Sequence, residues 1–216
     1  MLSLRKSDVM SFLIGISGGS GSGKTSFIRD IKKEIGNDRL CVISQDDYYQ
    51  PRDMQQVDSN GVRNFDLPES IDLDAFETDI RKLKNGETIT RKEYTFNNKF
   101  KEPNLLTFLP APIIIIEGLF IYHHKPIVNM LDLKIMIHAH DSHMIIRRIK
   151  RDQIERNYPI DDVLYRYQHH VMPAYEQYIN PYLDKVDIVI NNNVSYNKGL
   201  EVLIGFLKTK IGDSFI

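Results

Sequence analysis

FLIGISGGSGSGKT, residues 12–25, contains an apolar run that predicts a buried strand and then a stretch rich in Gly and Ser. That stretch, residues 18–25, fits the pattern G-x-x-x-x-G-K-[ST]. Glycines allow the chain to curl so that successive backbone N–H groups face one anion. The next apolar residues recur at helical spacing: Phe27, Ile28, Ile31 and Ile35. Strand, turn and helix together predict the phosphate-binding loop of nucleotide enzymes; the alternative is a flexible Gly/Ser connection.

The loop predicts a set of nucleotide contacts. A helix is expected to begin at about Lys24, and its positive N-terminal end favours bound phosphate. Lys24 is expected to reach the β- and γ-phosphates, and the hydroxyl group of Thr25 is a predicted ligand of Mg²⁺. The predicted nucleotide-binding residues are Gly18, Gly19, Ser20, Gly21, Ser22, Gly23, Lys24 and Thr25.

The composition limits the class of protein. The chain has 216 residues, of which 42% are hydrophobic and 26% charged, as in soluble globular proteins, and we expect one domain over residues 1–216. The net charge of −1 does not point to nucleic acid or to a membrane as a partner. Cys41 is the one cysteine, so no intrachain disulfide forms. Without a secretory signal or a long apolar span, the chain is expected to be cytoplasmic.

Acidic residues follow the second predicted strand, residues 40–44. The sequence continues as Gln45-Asp46-Asp47-Tyr48-Tyr49. Ligands of open α/β sheets lie beyond the carboxyl ends of the strands, so these side chains are expected beside the phosphate loop. Asp46 or Asp47 is therefore a candidate base, and the alternative is a turn acid that caps the next element.

A run of four isoleucines, residues 113–116, predicts a central strand that is buried on both faces. Glu117 stands at its carboxyl end, as does the acidic residue that holds Mg²⁺ in phosphate-loop enzymes. A purely structural role in capping or in an ion pair is the alternative.

Residues 50–70 read as a polar loop, and Asp72 is expected to cap a helix that continues through Lys84 and stops at Gly86. Short β-like runs between residues 88 and 109 predict a hairpin that leaves the main sheet.

The segment 142–158 is expected to be a helical lid. Its cations are Arg147, Arg148, Lys150, Arg151 and Arg156. This density suits closure over phosphates, although a solvated helix face is the alternative. Further along, a helix over residues 160–178 bent at Pro173, a strand at 187–190 and a helix at 199–211 are expected. The alternation predicts an α/β three-layer sandwich of the phosphate-loop NTPase type, with a parallel central sheet.

Several motifs together resemble the uridine/cytidine kinases of the phosphoribulokinase–uridine kinase family. The motifs are GGSGSGKT, SQDDYY, NFDLPES, EYTF, IIIIEG, RRIKRD and VMPAYEQYINP, and the resemblance covers residues 12–192. It implies transfer of a phosphoryl group from ATP, or GTP, to the 5′-hydroxyl of a nucleoside, with Mg²⁺ as cofactor. It also implies a homotetramer and a place in pyrimidine salvage.

The resemblance also implies individual roles. Asp46 matches the family's catalytic acidic residue, which accepts the proton of the 5′-hydroxyl, and Lys24 is the second predicted catalytic residue. Thr25 and Glu117, together with Asp46, match the metal site. The predicted substrate contacts are Tyr49, Asp66, Tyr94, Lys99, Arg148, Arg151, Arg156 and Arg166.

Three positions depart from the family pattern. Lys99 stands in place of a base-contacting His, Tyr158 in place of an Arg, and Arg166 in place of a Gln. The choice between uridine and cytidine therefore stays open. So do two other functions: phosphorylation of a different small alcohol, such as a sugar phosphate or a pantothenate-like acid, and a regulatory module that binds ATP without catalysis.

Overall fold

A parallel five-stranded sheet lies at the centre of the protein in the computed structural model, which describes residues 11–95, 102–156 and 158–212, without the side chains of residues 155 and 156. The strand order is β2-β5-β1-β6-β7, and β3 and β4 form a separate two-stranded antiparallel sheet. The strands in the described residues are β1 (Phe12–Ser17), β2 (Leu40–Ser44), β3 (Ile89–Lys92), β4 (Leu105–Phe108), β5 (Ile113–Glu117), β6 (Leu133–His138) and β7 (Ile188–Asn191).

Helices connect and cover these strands. In the described residues they are α1 (Lys24–Ile35), α2 (Leu73–Lys84), α3 (Lys125–Val128), α4 (Asp141–Arg156), α5 (Ile160–Arg166), α6 (Met172–Ala174) and α7 (Asn197–Lys210). The side chain of Asp72 accepts a hydrogen bond from the backbone N–H of Ala75 and so caps α2 as expected. Short 3₁₀ turns interrupt the predicted loop 50–70 at residues 52–54 and 68–70.

Two hydrophobic cores lie on opposite faces of the sheet. Residues 113–116 are fully buried, and alternate side chains enter alternate cores, since Ile114 and Ile116 pack with α2 while Ile113 and Ile115 pack with α1 and α7. A strand that is buried on both faces needs apolar residues at consecutive positions, which is why an unbroken isoleucine run suits β5. The expected three-layer α/β fold is confirmed.

The register of the sheet brings three functional segments to one edge. Glu117 pairs with Ile16 on one side and with Ser44 on the other. The phosphate loop, the segment 45–49 and the end of β5 therefore leave the sheet at the same level, as the parallel arrangement predicts.

The segment after α4 differs in detail from the expected bent helix. From residue 160 to 179 the chain alternates α-helix with two π-helical stretches, Tyr167–Val171 and Tyr175–Ile179, and a 3₁₀ turn follows. Pro173 lies in α6 between the two stretches, where its missing N–H interrupts the regular hydrogen-bond ladder. The hairpin expected over residues 88–109 is present as β3 and β4.

Candidate active site

The phosphate loop has a backbone conformation that depends on glycine. Gly21 and Gly23 have φ angles of +84° and +103°. A Cβ atom on Gly21 would collide with the carbonyl oxygen of Met144, so a side chain there meets both strain and backbone. The N-cap of α1 is Gly23, which has no side chain to accept from the first amides of the helix. These N–H groups therefore remain available to an anion.

Lys24 lies across the mouth of this loop. Its Nζ donates to the carbonyl oxygen of Gly18 at 2.6 Å and approaches that of Gly19 at 3.4 Å. Burial lowers the pKa of the lysine, whereas the carboxylates of Glu117 and Asp46 act in the opposite direction. The ammonium group is thus held between the loop and two acids from neighbouring strand ends.

Glu117 is the central acid of this edge. Its Oε1 accepts a hydrogen bond from Ser44 Oγ at 2.6 Å, and the same hydroxyl accepts from the backbone N–H of Asp46 at 3.2 Å. Burial and the Asp46 carboxylate raise the pKa of Glu117 to about 7, while Lys24 and the Ser44 hydrogen bond oppose that rise. A carboxyl group with such a pKa is stabilised in its ionised form by any added cation.

The two neighbouring aspartates have different surroundings. Asp47 accepts a hydrogen bond from the backbone N–H of Tyr94 at 3.3 Å, and its carbonyl oxygen accepts from Arg91 Nε at 2.7 Å, so it fixes the hairpin to the sheet edge. Asp46 acts electrostatically on Lys24, Glu117 and Tyr49. Of the two, Asp46 is the acid whose charge acts on Lys24 of the phosphate loop.

An aromatic group lines the other side of the edge. The ring centroid of Tyr49 lies 5.1 Å from that of Tyr94 and 6.0 Å from that of Phe65. Burial raises the pKa of Tyr49 well above its ordinary value, and the carboxylates of Asp46 and Asp66 add to this effect. Tyr49 is therefore close enough to both acids for their charges to act on it. Phe65 was not predicted from the sequence as a residue of this site, although it directly precedes Asp66.

Two arginines of α4 reach the phosphate loop. Arg148 donates to Ser20 Oγ at 2.8 Å, and Arg151 approaches the same oxygen at 3.4 Å. Arg148 also lies 3.9 Å from Asp66 Oδ1. Asp152, which is 2% exposed, forms ion pairs with both guanidinium groups, at 3.3 Å to Arg148 Nε and 3.0 Å to Arg151 Nε. Asp152 is the aspartate of the motif RRIKRD, and the sequence by itself predicted no role for it.

Asn192 is a further residue that sequence analysis missed. The side-chain amide of Asn192 donates to the backbone carbonyl oxygen of Ser22 at 2.7 Å. The backbone carbonyl oxygen of Asn192 accepts from the guanidinium group of Arg147 at 3.0 Å. The end of β7 thus holds the rear of the phosphate loop. The run of asparagines after β7 is the only trace of this contact in the sequence.

Three predicted substrate contacts have a separate outcome. Lys99 lies outside the described residues, and so does the side chain of Arg156. Arg166 donates to the carbonyl oxygen of Arg63 at 3.0 Å, which ties α5 to the loop before Asp66. Its predicted contact with substrate stays a prediction.

The oxygen donors at the strand ends suit Mg²⁺. Glu117 and Asp46 are carboxylates, and Thr25 is an exposed hydroxyl residue in the first turn of α1. Hard oxygen ligands of this kind, few in number, are typical of Mg²⁺ sites in which phosphate supplies the remaining ligands. The residues therefore fit the metal that the sequence predicts.

Two solved structures that share this architecture are described as a possible kinase and a kinase. The chain matches a possible uridine kinase from Bacillus stearothermophilus with a TM-score of 0.59 and 17% identity, over 86% of this chain and 91% of that one. It matches D-glycerate 3-kinase from Cryptococcus neoformans with a TM-score of 0.61 and 14% identity, over 87% and 88% of the two chains. These likenesses show the fold, and the loop of residues 18–25 adds the phosphate-binding motif, so the chain has the architecture of a phosphate-loop protein.

Sequence comparison narrows the class. The model of the phosphoribulokinase/uridine kinase family matches residues 13–197, and the chain belongs to that family. Uridine kinase of Borrelia duttonii is 35% identical over 202 residues, which are 94% of this chain and 97% of that protein. No helix among the described residues combines the length and the apolar character that crossing a bilayer requires.

Proposed function

We propose that this protein transfers the γ-phosphoryl group of ATP to the 5′-hydroxyl of a pyrimidine nucleoside, uridine or cytidine. The observation that carries the proposal is the position of Arg148, whose guanidinium group contacts Ser20 of the phosphate loop and lies 3.9 Å from Asp66. One side chain thereby joins the predicted triphosphate site to Asp66, which is one of the predicted substrate contacts. The relatives called uridine kinase support the choice of acceptor.

Positioning and charge stabilisation account for most of the proposed catalysis. The loop amides and Lys24 bind the triphosphate, and Arg148 and Arg151 neutralise charge that develops on the transferring group. Asp46 orients the 5′-hydroxyl toward the terminal phosphorus and takes its proton. Tyr49 and Tyr94 are proposed to pack against the nucleoside, with Asp66 accepting from the ribose hydroxyls.

Mg²⁺ fits the same site. Thr25, Glu117 and Asp46 would hold the ion directly or through water. When bound, Mg²⁺ neutralises the phosphate oxygens and the two carboxylates at once.

The acceptor is best tested with a panel. Uridine, cytidine, a purine nucleoside, a sugar phosphate and pantothenate are each incubated with Mg²⁺ and either ATP or GTP, and release of the nucleoside diphosphate is measured. We expect turnover with a pyrimidine nucleoside only. Turnover with an anionic alcohol alone would replace the acceptor, and tight ATP binding without turnover would favour a regulatory module.

The Asp46→Asn variant tests the catalytic assignment in the same assay. We expect kcat to fall about 10²- to 10⁴-fold, because general-base assistance and alignment of the hydroxyl are lost. The Kd for ATP should stay close to the wild-type value. Asp47→Asn is the matched control, since its carboxyl group contacts the hairpin. Wild-type turnover in Asp46→Asn would rule out this role.

Family membership supports three further proposals. They are a role in pyrimidine salvage, action in the cytoplasm and assembly as a homotetramer. Size-exclusion chromatography with light scattering tests the last of these.

A further inference from the structure

Residues 57–63 form a small hairpin directly before Asn64, Phe65 and Asp66. Val57 and Arg63 form an antiparallel bridge, and the backbone N–H of Asp58 donates to the carbonyl oxygen of Val62 at 2.9 Å. Asp58 also closes the turn from within, since its Oδ1 accepts from the backbone N–H groups of residues 60 and 62, both at 2.9 Å.

The second carboxylate oxygen of Asp58 points to the helical segment that follows the lid. Asp58 Oδ2 accepts from the hydroxyl group of Tyr165 at 2.9 Å and lies 2.7 Å from His170 Nε2. The side-chain amide of Asn60 donates to the same tyrosine oxygen at 2.7 Å. Arg166 adds a contact at the far strand of the hairpin, to the carbonyl oxygen of Arg63 at 3.0 Å.

These contacts are more than chance meetings of surface side chains. His170 is 2% exposed although it is polar, and Tyr165 packs against its ring at a centroid distance of 6.0 Å. Burial on its own would raise the pKa of Asp58, but the hydrogen bonds from Val62, His170 and Tyr165 hold the pKa well below its ordinary value. The carboxylate is therefore ionised and supplied with donors from two separate segments.

The hairpin is connected to the candidate site through the chain that follows it. It continues at once into Asp66, whose backbone N–H donates to the side chain of Asn64 at 2.9 Å and whose carboxylate faces Arg148. The position of Asp66 therefore depends on where the hairpin is held. The residues that contact the hairpin are Tyr165, Arg166 and His170, and they lie on the segment that follows α4. Helix α4 itself carries the two arginines that contact Ser20.

We propose that Tyr165, Arg166 and His170 form a clamp on the hairpin 57–63 and act as positioning residues for the acceptor. The proposal rests on the proposed function, because it takes Asp66 as the ribose contact. The clamp fixes the hairpin 57–63, and with it the chain that leads into Asp66, to the helical segment that follows α4. It also assigns Arg166, which stands in place of the family's glutamine, to the hairpin 57–63 rather than to the acceptor.

The kinetic test compares two substitutions of one residue. His170→Leu keeps the size of the side chain but removes the donor, whereas His170→Gln keeps an amide N–H close to the place of Nε2. We expect the KM for the nucleoside to rise about tenfold in His170→Leu, since a hydrogen bond to a charged group is lost. We expect the KM for ATP to change less than twofold and His170→Gln to recover most of the loss.

A second variant keeps the test valid if His170→Leu does not fold. Tyr165→Phe removes one hydroxyl group and leaves the ring in place, and we expect it to raise the nucleoside KM in the same direction. Equal increases in both KM values, or none in either variant, would overturn the clamp.

Amide hydrogen exchange separates this proposal from the proposed function. In the protein without nucleotide, Tyr165→Phe should increase exchange at residues 57–66 and leave the phosphate loop at residues 18–25 unchanged. This readout needs no acceptor. If the wild-type protein phosphorylates no nucleoside, the proposed function fails while the exchange result still decides the clamp. Unchanged exchange at residues 57–66 would contradict the clamp even in an active kinase.

Discussion

Glu117 is a buried carboxyl group whose ionised form is unfavourable in the protein without a bound cation. Burial and the Asp46 carboxylate raise its pKa to about 7 from an ordinary 4.5. In the unfolded chain the group ionises near pH 4.5, so folding favours the neutral form. The neutral form therefore contributes to the free energy of unfolding below about pH 4.5, and this contribution is lost as the pH rises from there through about 7.

The Glu117→Gln variant tests this effect without metal or nucleotide. Gln keeps the size of the side chain and an oxygen that accepts from Ser44 Oγ, but it never ionises. We expect the variant and the wild type to have similar free energies of unfolding at pH 4.5. At pH 8 the variant should be more stable by roughly 2–3 kcal/mol. Chemical denaturation at both pH values measures the difference.

The substitution Glu87→Gln provides the control for net charge, since residue 87 is exposed. It should give the same difference from wild type at both pH values. A gap between Glu117→Gln and the wild type that does not grow with pH would contradict the assignment of a raised pKa.

At the scale of elements, α4 directs two of its arginines toward the phosphate loop. Arg148 and Arg151 both contact Ser20 Oγ. The buried carboxylate of Asp152 forms an ion pair with each guanidinium group and thereby holds both in place. Two arginines that meet at one hydroxyl repel each other, and a buried carboxylate between them offsets that repulsion. The helix is therefore organised toward the phosphate loop rather than toward solvent.

The Asp152→Asn variant tests this organisation. Asn has nearly the same size, but it brings no negative charge and turns an N–H donor toward the arginines. We expect kcat to fall roughly 10²-fold, because misplacement of charged groups by about an ångström has that effect. Steady-state kinetics with ATP and the best acceptor of the panel measures it.

Asp161→Asn is the matched control for this change, since that residue is exposed in the first turn of α5. It should keep kcat near the wild-type value. Wild-type turnover in Asp152→Asn would show that the two arginines need no carboxylate to reach their positions.

At the scale of the whole molecule, β5 packs into both hydrophobic cores and ends at the sheet edge where the candidate site lies. It pairs with β1 and β2, and its side chains enter both faces of the sheet before the strand ends at Glu117. The core thus sets the level at which the phosphate loop, Asp46 and Glu117 meet. A loss of packing in β5 should reduce stability first.

Ile115→Ala should lower the free energy of unfolding by about 2–5 kcal/mol, since a fully buried side chain leaves a cavity. Ile154→Ala, the same substitution at a residue that is 81% exposed, should change it by no more than about 0.5 kcal/mol. Denaturant titration of both variants checks the contrast. Equal effects would mean that β5 is not the packed centre of the sheet.

Local sequence was sufficient for the phosphate loop, the isoleucine strand, the Asp72 cap and the alternation of strands with helices. These features depend on neighbouring residues, on backbone freedom and on hydrophobic periodicity, which the chain carries in order. The resemblance of motifs added the family, which the comparison of sequences confirms. The predicted roles of Asp46, Glu117 and the nucleoside contacts stay predictions.

Tertiary structure decided which distant side chains share one atom. Arg148 meets Ser20 across 128 residues, and His170 meets Asp58 across 112. No spacing rule links such pairs, since their distance depends on how the helices pack on the sheet and not on the sequence between them. For the same reason Asp47 and Asp46, adjacent and identical in type, have different surroundings: the turn after β2 directs one carboxylate to the hairpin and leaves the other beside Lys24 and Glu117.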